Sequence, residues 1–388
     1  MNFTQPLPLS LYVHYPWCVQ KCPYCDFNSH TLKKEIDEAA YINALITQLE
    51  RILPQIWGRQ IQSIFFGGGT PSLISEEGLN RFLSQARALL GFGPNIEITL
   101  EANPGTVDFE KFAGFYQAGI NRLSMGIQSF DDEKLVALGR IHSSDEAHKA
   151  IQAAKSAGFT NFNLDLMFAL PNQSLEQAIA DVEQAIGYQP PHLSHYQLTL
   201  EPNTPFYKNP PVLPNDDQAW EFQQACQQII GNAGYQHYEV SAYAQKGRQS
   251  VHNLNYWQFG DYIGLGAGAH GKITMAPEGR IFRTQMPASP GGYIEAMKQY
   301  DAGRTHWLEK EDAIFEFMLN ALRLQQGFDL GLFELRTGLS LTEITPVLES
   351  LIEQKLIEIL PQNDTDWLKL TAKGQQYLND VVSAFLAE

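Results

Sequence analysis

Three of the four cysteines fall in one short stretch, Cys18-Val-Gln-Lys-Cys22-Pro-Tyr-Cys25, a C-x3-C-x2-C spacing directly after the β-like run Leu9–His14. A disulfide framework spreads its cysteines along a chain, whereas a cluster of three points to metal ligation in a reducing compartment. Three thiolates on one tight loop can cap three irons of a [4Fe–4S] cube, which leaves the fourth iron without a protein ligand. S-adenosylmethionine can chelate that iron through its amino and carboxylate groups. One electron from the cluster then cleaves the sulfonium bond to give a 5′-deoxyadenosyl radical. Pro23 stiffens the loop, and Tyr24 offers a flat face to the adenine. The competing chemistry is a structural zinc site, with His14 or His30 as the fourth ligand. Zinc sites usually pair two Cys-x2-Cys-like knuckles, and no such pair exists here, so the iron–sulfur reading is preferred. The remaining Cys226 sits among Trp220, Phe222, Ile229 and Ile230 at helical spacing and reads as a buried small hydrophobe.

The elements that must position this loop alternate. Six β-like runs, Leu9–His14, Ser63–Phe66, Ile96–Glu101, Arg122–Gly126, Asn161–Met167 and Leu193–Leu200, are separated by stretches of helical spacing. These are Tyr41–Leu53, Gly78–Leu90, Phe109–Ala118, Glu146–Ala157 and Leu175–Ile186. Such alternation predicts a parallel sheet with helices outside, and six units give a partial (β/α)6 barrel open on one side. In α/β barrels the carboxyl ends of the strands carry the chemistry. At those ends stand the cysteine loop, Gly67–Gly69, Glu101, Gln128 and Asp165. Each also has a plain structural reading. Glycines close a strand tightly because they tolerate positive φ, Glu101 could cap the next helix, and Asp165, between apolar neighbours, needs a partner such as Arg140.

Composition narrows the function. The chain has 388 residues, 27 basic and 43 acidic, for a net charge of −16. That field repels phosphate backbones, so nucleic acid is not an expected partner. No apolar run approaches the ~18 residues of a membrane span, and the first ten residues lack the pattern of a signal peptide. From His306 onward helical spacing recurs at Ile314–Leu322 and Ile344–Ile352. Two β-like runs, Leu356–Leu360 and Trp367–Leu370, follow around a polar turn at Gln362–Asp366, and then a helix at Lys373–Leu386. This is a small winged-helix-like α+β arrangement. With 6 basic and 14 acidic residues in His306–Glu388, protein contact or a lid suits it better than DNA. The expected division is a core barrel over 1–235, accessory strands and loops over 236–305, and a C-terminal domain over 306–388.

The segments Tyr12-Val-His-Tyr-Pro-Trp-Cys18 and Gly67-Gly-Gly-Thr-Pro71, with the cysteine loop, resemble the radical SAM superfamily. More narrowly they resemble its oxygen-independent coproporphyrinogen oxidase-like group, over nearly the whole chain. The resemblance implies that Cys18, Cys22 and Cys25 hold the cluster, flanked by Tyr12 and Tyr24. It implies that Gly68, Gly69 and Thr70 meet the methionyl amino group and neighbouring atoms, and that Glu101 contacts the ribose or the amino group. Gln128, Arg140 and Asp165 match further positions of the S-adenosylmethionine site.

Two features separate this chain from the oxidases of that group. They carry a further cysteine two positions after the third, where this chain has Phe27, and a longer segment before the cluster. The motif His252-Asn-Leu-Asn-Tyr-Trp257 instead resembles the haem chaperone branch. The resemblance implies a chain that binds haem and passes it to client haemoproteins such as respiratory enzymes, and that lacks coproporphyrinogen oxidase activity. Its implied setting is cytoplasmic, with peripheral contact at the inner membrane. His252 is the candidate haem residue, with Tyr256 and Trp257 as porphyrin-packing rings and His270 as a second candidate ligand. The residues alone favour a loop and core role.

Overall fold

Alternation along the strands, broken by a few register shifts, decides where the core lies. In β1 (Leu9–Tyr15), β2 (Gln60–Gly68), β3 (Gly91–Ala102), β4 (Arg122–Gln128), β5 (Phe162–Phe168) and β6 (His192–Gln197) one face is apolar. Leu11, Val13, Ile64, Phe66, Ile98, Leu100, Leu123, Met125, Leu164 and Leu193 are all essentially inaccessible and form one cluster with the surrounding helices. The other face carries Ser10, Tyr12, Ser63, Glu97, Thr99, Glu101, Arg122, Ser124, Asn163, Asp165, His192, Ser194 and Tyr196. A period of two sends these to the opposite side of the sheet. Most α/β barrels fill their interior with branched apolar residues; this one lines it with polar groups.

The computed structural model describes residues 1–32, 36–301, 303–362 and 364–386. The six strands run parallel in sequence order. Between them lie α1 (Glu38–Ile56), α2 (Glu76–Leu89), α3 (Phe109–Ala118), α4 (Ser144–Ser156) and α5 (Leu175–Gly187). The chain signals each helix start. Ser75 and Asp108 cap α2 and α3, and Ser143/Glu146 and Ser174/Gln177 form capping boxes on α4 and α5. All five predicted helices and all six predicted strands are present.

The sheet does not close. Past β6 it continues antiparallel through β8 (Ala242–Ala244) to β7 (Gln236–Glu239). Past β1 it continues parallel to β9 (Asp261–Leu265), then antiparallel through β10 (His270–Met275), β11 (Arg280–Gln285) and β12 (Arg304–Trp307). The accessory strands therefore extend both edges of one twelve-stranded sheet, and the last of them runs past residue 305.

The C-terminal part has its own core around Phe317, Phe328, Phe333, Leu351 and Leu368. Its sheet places β13 (Phe328–Asp329) beside β15 (Thr365–Leu370), which pairs with β14 (Ile357–Gln362). The predicted hairpin is present, and Asn363 of its turn lies outside the described residues. The single predicted final helix is two, Ala372–Gln376 and Leu378–Ser383, broken at Tyr377 by its non-helical backbone. Cys226 is fully buried, as its apolar neighbours imply. Among the described residues no helix is long and apolar enough to cross a membrane.

Candidate functional site

The cysteine loop leaves β1 and is tied down on three sides. At its base Trp17–Cys18 pairs with His30–Thr31. From the turn after β2, Gly69 N and Thr70 N donate to Tyr15 O (2.8 Å) and Trp17 O (2.7 Å). A Cβ at Gly69 would stand 2.6 Å from Trp17 O, so only glycine allows this approach. From the far side, Asn28 Nδ2 donates to Ala267 O and Ala288 O, both at 2.9 Å. His14 Nε2 meets Asn28 O at 2.8 Å, while the Tyr12 hydroxyl donates to His14 Nδ1 at 2.9 Å. The glycine-rich segment after β9 thus serves to brace the loop: a Cβ at Gly268 would strike the Asn28 side chain.

Above the strand ends this loop closes one wall of a cavity. Cys18, Cys22, Cys25 and Tyr24 line it, together with Gly68, Gly69, Thr70, Glu101, Gln128, Arg140 and Asp165. Burial raises the Cys18 and Cys25 thiols above their ordinary range. No group of three His, Cys, Asp or Glu side chains among the described residues converges on a single metal-ion position. Three thiols on one short loop at the cavity can hold three corners of a multi-iron cluster. Arg140 lies behind them, donating to Gly126 O at 2.9 Å and directing Nη1 at Cys22 Sγ, 3.7 Å away.

The two carboxyl groups face one another across the floor. Glu101 accepts from Gly68 N (3.2 Å), and Asp165 accepts from Asn163 Nδ2 (2.7 Å) and Ser124 Oγ (3.1 Å). Burial, then the neighbouring Asp165 charge, pushes Glu101 up to about 8; burial also raises Asp165. A protonated Glu101 beside Asp165 offers a donor and acceptors to a hydroxyl-rich or cationic ligand. Gln128 adopts φ 68° at the end of β4, its Oε1 accepting from the Tyr196 hydroxyl at 2.9 Å. A non-glycine residue in that region costs of order 1–3 kcal/mol and marks a place where geometry serves a site.

A pH test follows from Glu101. Its carboxyl, ordinarily near 4.5, holds its proton to about 8 in the folded chain. Between those values the unfolded chain has lost the proton and the folded chain keeps it, so stability falls as pH rises. Glu101→Gln mimics the protonated form. The cofactor-free variant should gain on the parent from pH 5 to 8, by more than ~1 kcal/mol, then hold level. Urea unfolding at pH 5, 7 and 9 measures this, and parallel curves for the two proteins would refute it.

Eleven predicted residues therefore line the wall and floor of one cavity. Two do not. Tyr12 lies beneath it, braced on His14 and stacked near Phe65 (6.3 Å). His252 is 1% exposed, deep in the barrel, with its ring stacked on Phe65 at 5.0 Å and against Tyr256 at 4.9 Å. Its Nδ1 meets Ser63 Oγ at 2.9 Å, and because Ser63 donates onward to Ser10, Nδ1 is the protonated nitrogen. Nε2 is buried without a partner, and burial pulls the imidazole down to about 3. Tyr256 and Trp257, the expected porphyrin-packing rings, are already packed within the chain. Tyr256 packs on Tyr262, and Trp257 lies under Arg323 (4.3 Å) against the C-terminal core. The helix Val251–Trp257 instead joins the barrel to the C-terminal part, with Asn253 reaching the cavity.

Sequence reading missed Arg122, Ser124, Asn163, His192, Ser194, Tyr196 and Asn253, all of which line the cavity. The signal was there for most of them, since they occupy the polar alternate positions of β4, β5 and β6.

Residues 12–185 match the model of the Radical SAM superfamily, and residues 308–377 match the HemN C-terminal domain. The chain is 48% identical over 381 residues to the heme chaperone HemW of Escherichia coli, covering 98% of this chain and 99% of that one. It is 49% identical over 385 residues to the heme chaperone HemW of Haemophilus influenzae, covering 98% of each. This chain belongs to the HemW family. In fold it is similar to the coproporphyrinogen III oxidase HemN of Escherichia coli, with a TM-score of 0.80 at 22% identity over 98% of this chain and 90% of that one. Radical SAM domains work with a [4Fe–4S] cluster and S-adenosylmethionine, and the HemW-family cavity fits both. It offers three thiols on one wall, buried acids on the floor and a guanidinium whose Nε has no partner.

Proposed function

We propose that this chain is a haem chaperone, which binds haem and passes it to client haemoproteins such as respiratory enzymes. The observation that carries the reading is full-length relatedness, at 48% and 49% identity, to two proteins named heme chaperone HemW. Phe27 argues in the same direction. It is 62% exposed at the cavity rim, where the resembling oxidases carry a cysteine, so an oxidase's residue is replaced by an apolar contact surface. Haem is large, flat and mostly apolar, and its binding draws on such surface as well as on any axial bond.

Within this reading Cys18, Cys22 and Cys25 hold three irons of the cluster, and Tyr12 and Tyr24 flank it. Gly68, Gly69, Thr70, Glu101, Gln128, Arg140 and Asp165 hold S-adenosylmethionine. Glu101 and Asp165 suit its ammonium and ribose hydroxyls, and Arg140 suits its carboxylate. The bound pair supplies radical chemistry by reductive cleavage of the sulfonium. The chain's part is to keep the fourth iron open, hold the ligand and exclude water. Residues 1–235 are the barrel unit and 306–388 the HemN-like domain, with the accessory strands of 236–305 running on through Trp307. The setting is cytoplasmic, with peripheral contact at the inner membrane where respiratory clients sit.

His252 is the haem residue in this account. Its Nε2 carries a free lone pair, the form that ligates iron, and access to it requires the helix Val251–Trp257 to shift. His252→Ala should weaken haem binding and alter the Soret band while iron and sulfide content stay unchanged. An unaltered Soret spectrum would move the ligand elsewhere, with His270 next.

A further inference from the structure

Far from the cysteine loop, a cleft lies where β2 begins, between the segment before β1 and the helix Leu330–Thr337 of the C-terminal part. Its volume is about 420 Å³, and Gln5, Leu7, Gln60, Gln62 and Leu335 form its walls. Two arginines also line it. Arg336 is 7% exposed, makes no ion pair among the described residues, and has a buried Nε without a hydrogen-bond partner. Arg59, across the cleft, donates Nη2 to Leu7 O and to Asp261 Oδ2, both at 2.8 Å. Its own Nε is likewise buried and unpartnered.

The charges here do not balance. Asp261, fully buried, is shared between Arg59 (2.8 Å) and Lys272 (3.1 Å). Arg59 and Lys272 both pair with Asp261, and Glu316 also acts on Lys272, while Arg336 has no carboxylate at ion-pair distance among the described residues, in a chain whose net charge is −16. A guanidinium cannot shed its proton, and burying it unpaired is costly unless an anion completes the site. Its planar donors match oxyanions, and the amides of Gln60 and Gln62 add neutral donors at the rim.

We propose that this cleft is a binding site for a small oxyanion, a phosphoryl or carboxylate group, held by Arg336 and Arg59. It is independent of the cofactor cavity and of the haem reading. Phosphate and malonate are the probes, each replacing chloride at constant ionic strength, with the full chain followed by its melting midpoint. Either anion that fits should raise the midpoint of the parent saturably and leave Arg336→Leu unmoved. In chloride alone Arg336→Leu should melt no lower than the parent, because an unpaired buried charge has been removed. Arg336→Lys, which keeps the charge and loses the fork, should bind the anion at least about tenfold more weakly. A response to phosphate alone assigns a phosphoryl ligand, and one to malonate alone a carboxylate. The proposal is overturned if parent and Arg336→Leu respond equally, if neither anion acts on the parent, or if Arg336→Lys binds as tightly as the parent.

Discussion

Replacing Cys18, Cys22 or Cys25 singly with serine should abolish the [4Fe–4S] cluster, whereas Cys226→Ser should retain it. Serine offers a neutral hydroxyl, a poor ligand for iron, and the cluster has no spare thiolate on its wall of the cavity. Cys226 is fully buried on the helix Asp216–Asn232, packed in the barrel core and away from the cavity lining. Iron and sulfide per chain after anaerobic reconstitution, with the electron paramagnetic signal after reduction, decide the matter. One tightly held zinc and no cluster signal in the parent would contradict it, as would a full cluster in any of the three serine variants.

Arg140→Met should weaken S-adenosylmethionine binding by roughly 10–100-fold, the worth of a charge-assisted hydrogen bond in a dry site. It should also change the cluster spectrum, because the guanidinium stands 3.7 Å from Cys22 Sγ. Arg140→Lys should rescue only in part, since an ammonium cannot reach Gly126 O and Cys22 Sγ with one planar group. Equilibrium dialysis with the cluster present and absent measures both effects. Chelation of the open iron requires binding to collapse when the cluster is removed. Equal affinity in cluster-free protein would refute the account of this cavity.

Much of this was legible in the sequence because the signals are local. The cysteine spacing and the Gly-Gly-Gly turn each depend on residues a few positions apart. The barrel followed from alternation of strands and helices. What escaped depends on distant strands meeting. Asn163, His192 and Tyr238 form one buried chain, with His192 Nδ1 2.7 Å from Asn163 Oδ1 and Nε2 2.9 Å from the Tyr238 hydroxyl, yet they come from three strands. The bracing of Asn28 by Ala267 and Ala288 spans more than 230 residues. His252 shows a limit of another kind. Its motif drew attention to an imidazole as a ligand, but only the packing of Val251–Trp257 against β1, β2 and β9 reveals that it is enclosed.

Haem carriage and porphyrinogen oxidation can be told apart on one sample. The most direct measurement takes one anaerobically reconstituted sample with S-adenosylmethionine and reductant, and divides it. One half is titrated with haem and mixed with a client apoprotein; the other receives coproporphyrinogen III. The account predicts a stable Soret band that passes to the client, and no vinyl-group formation. Sustained conversion of coproporphyrinogen, with no haem transferred, would contradict it.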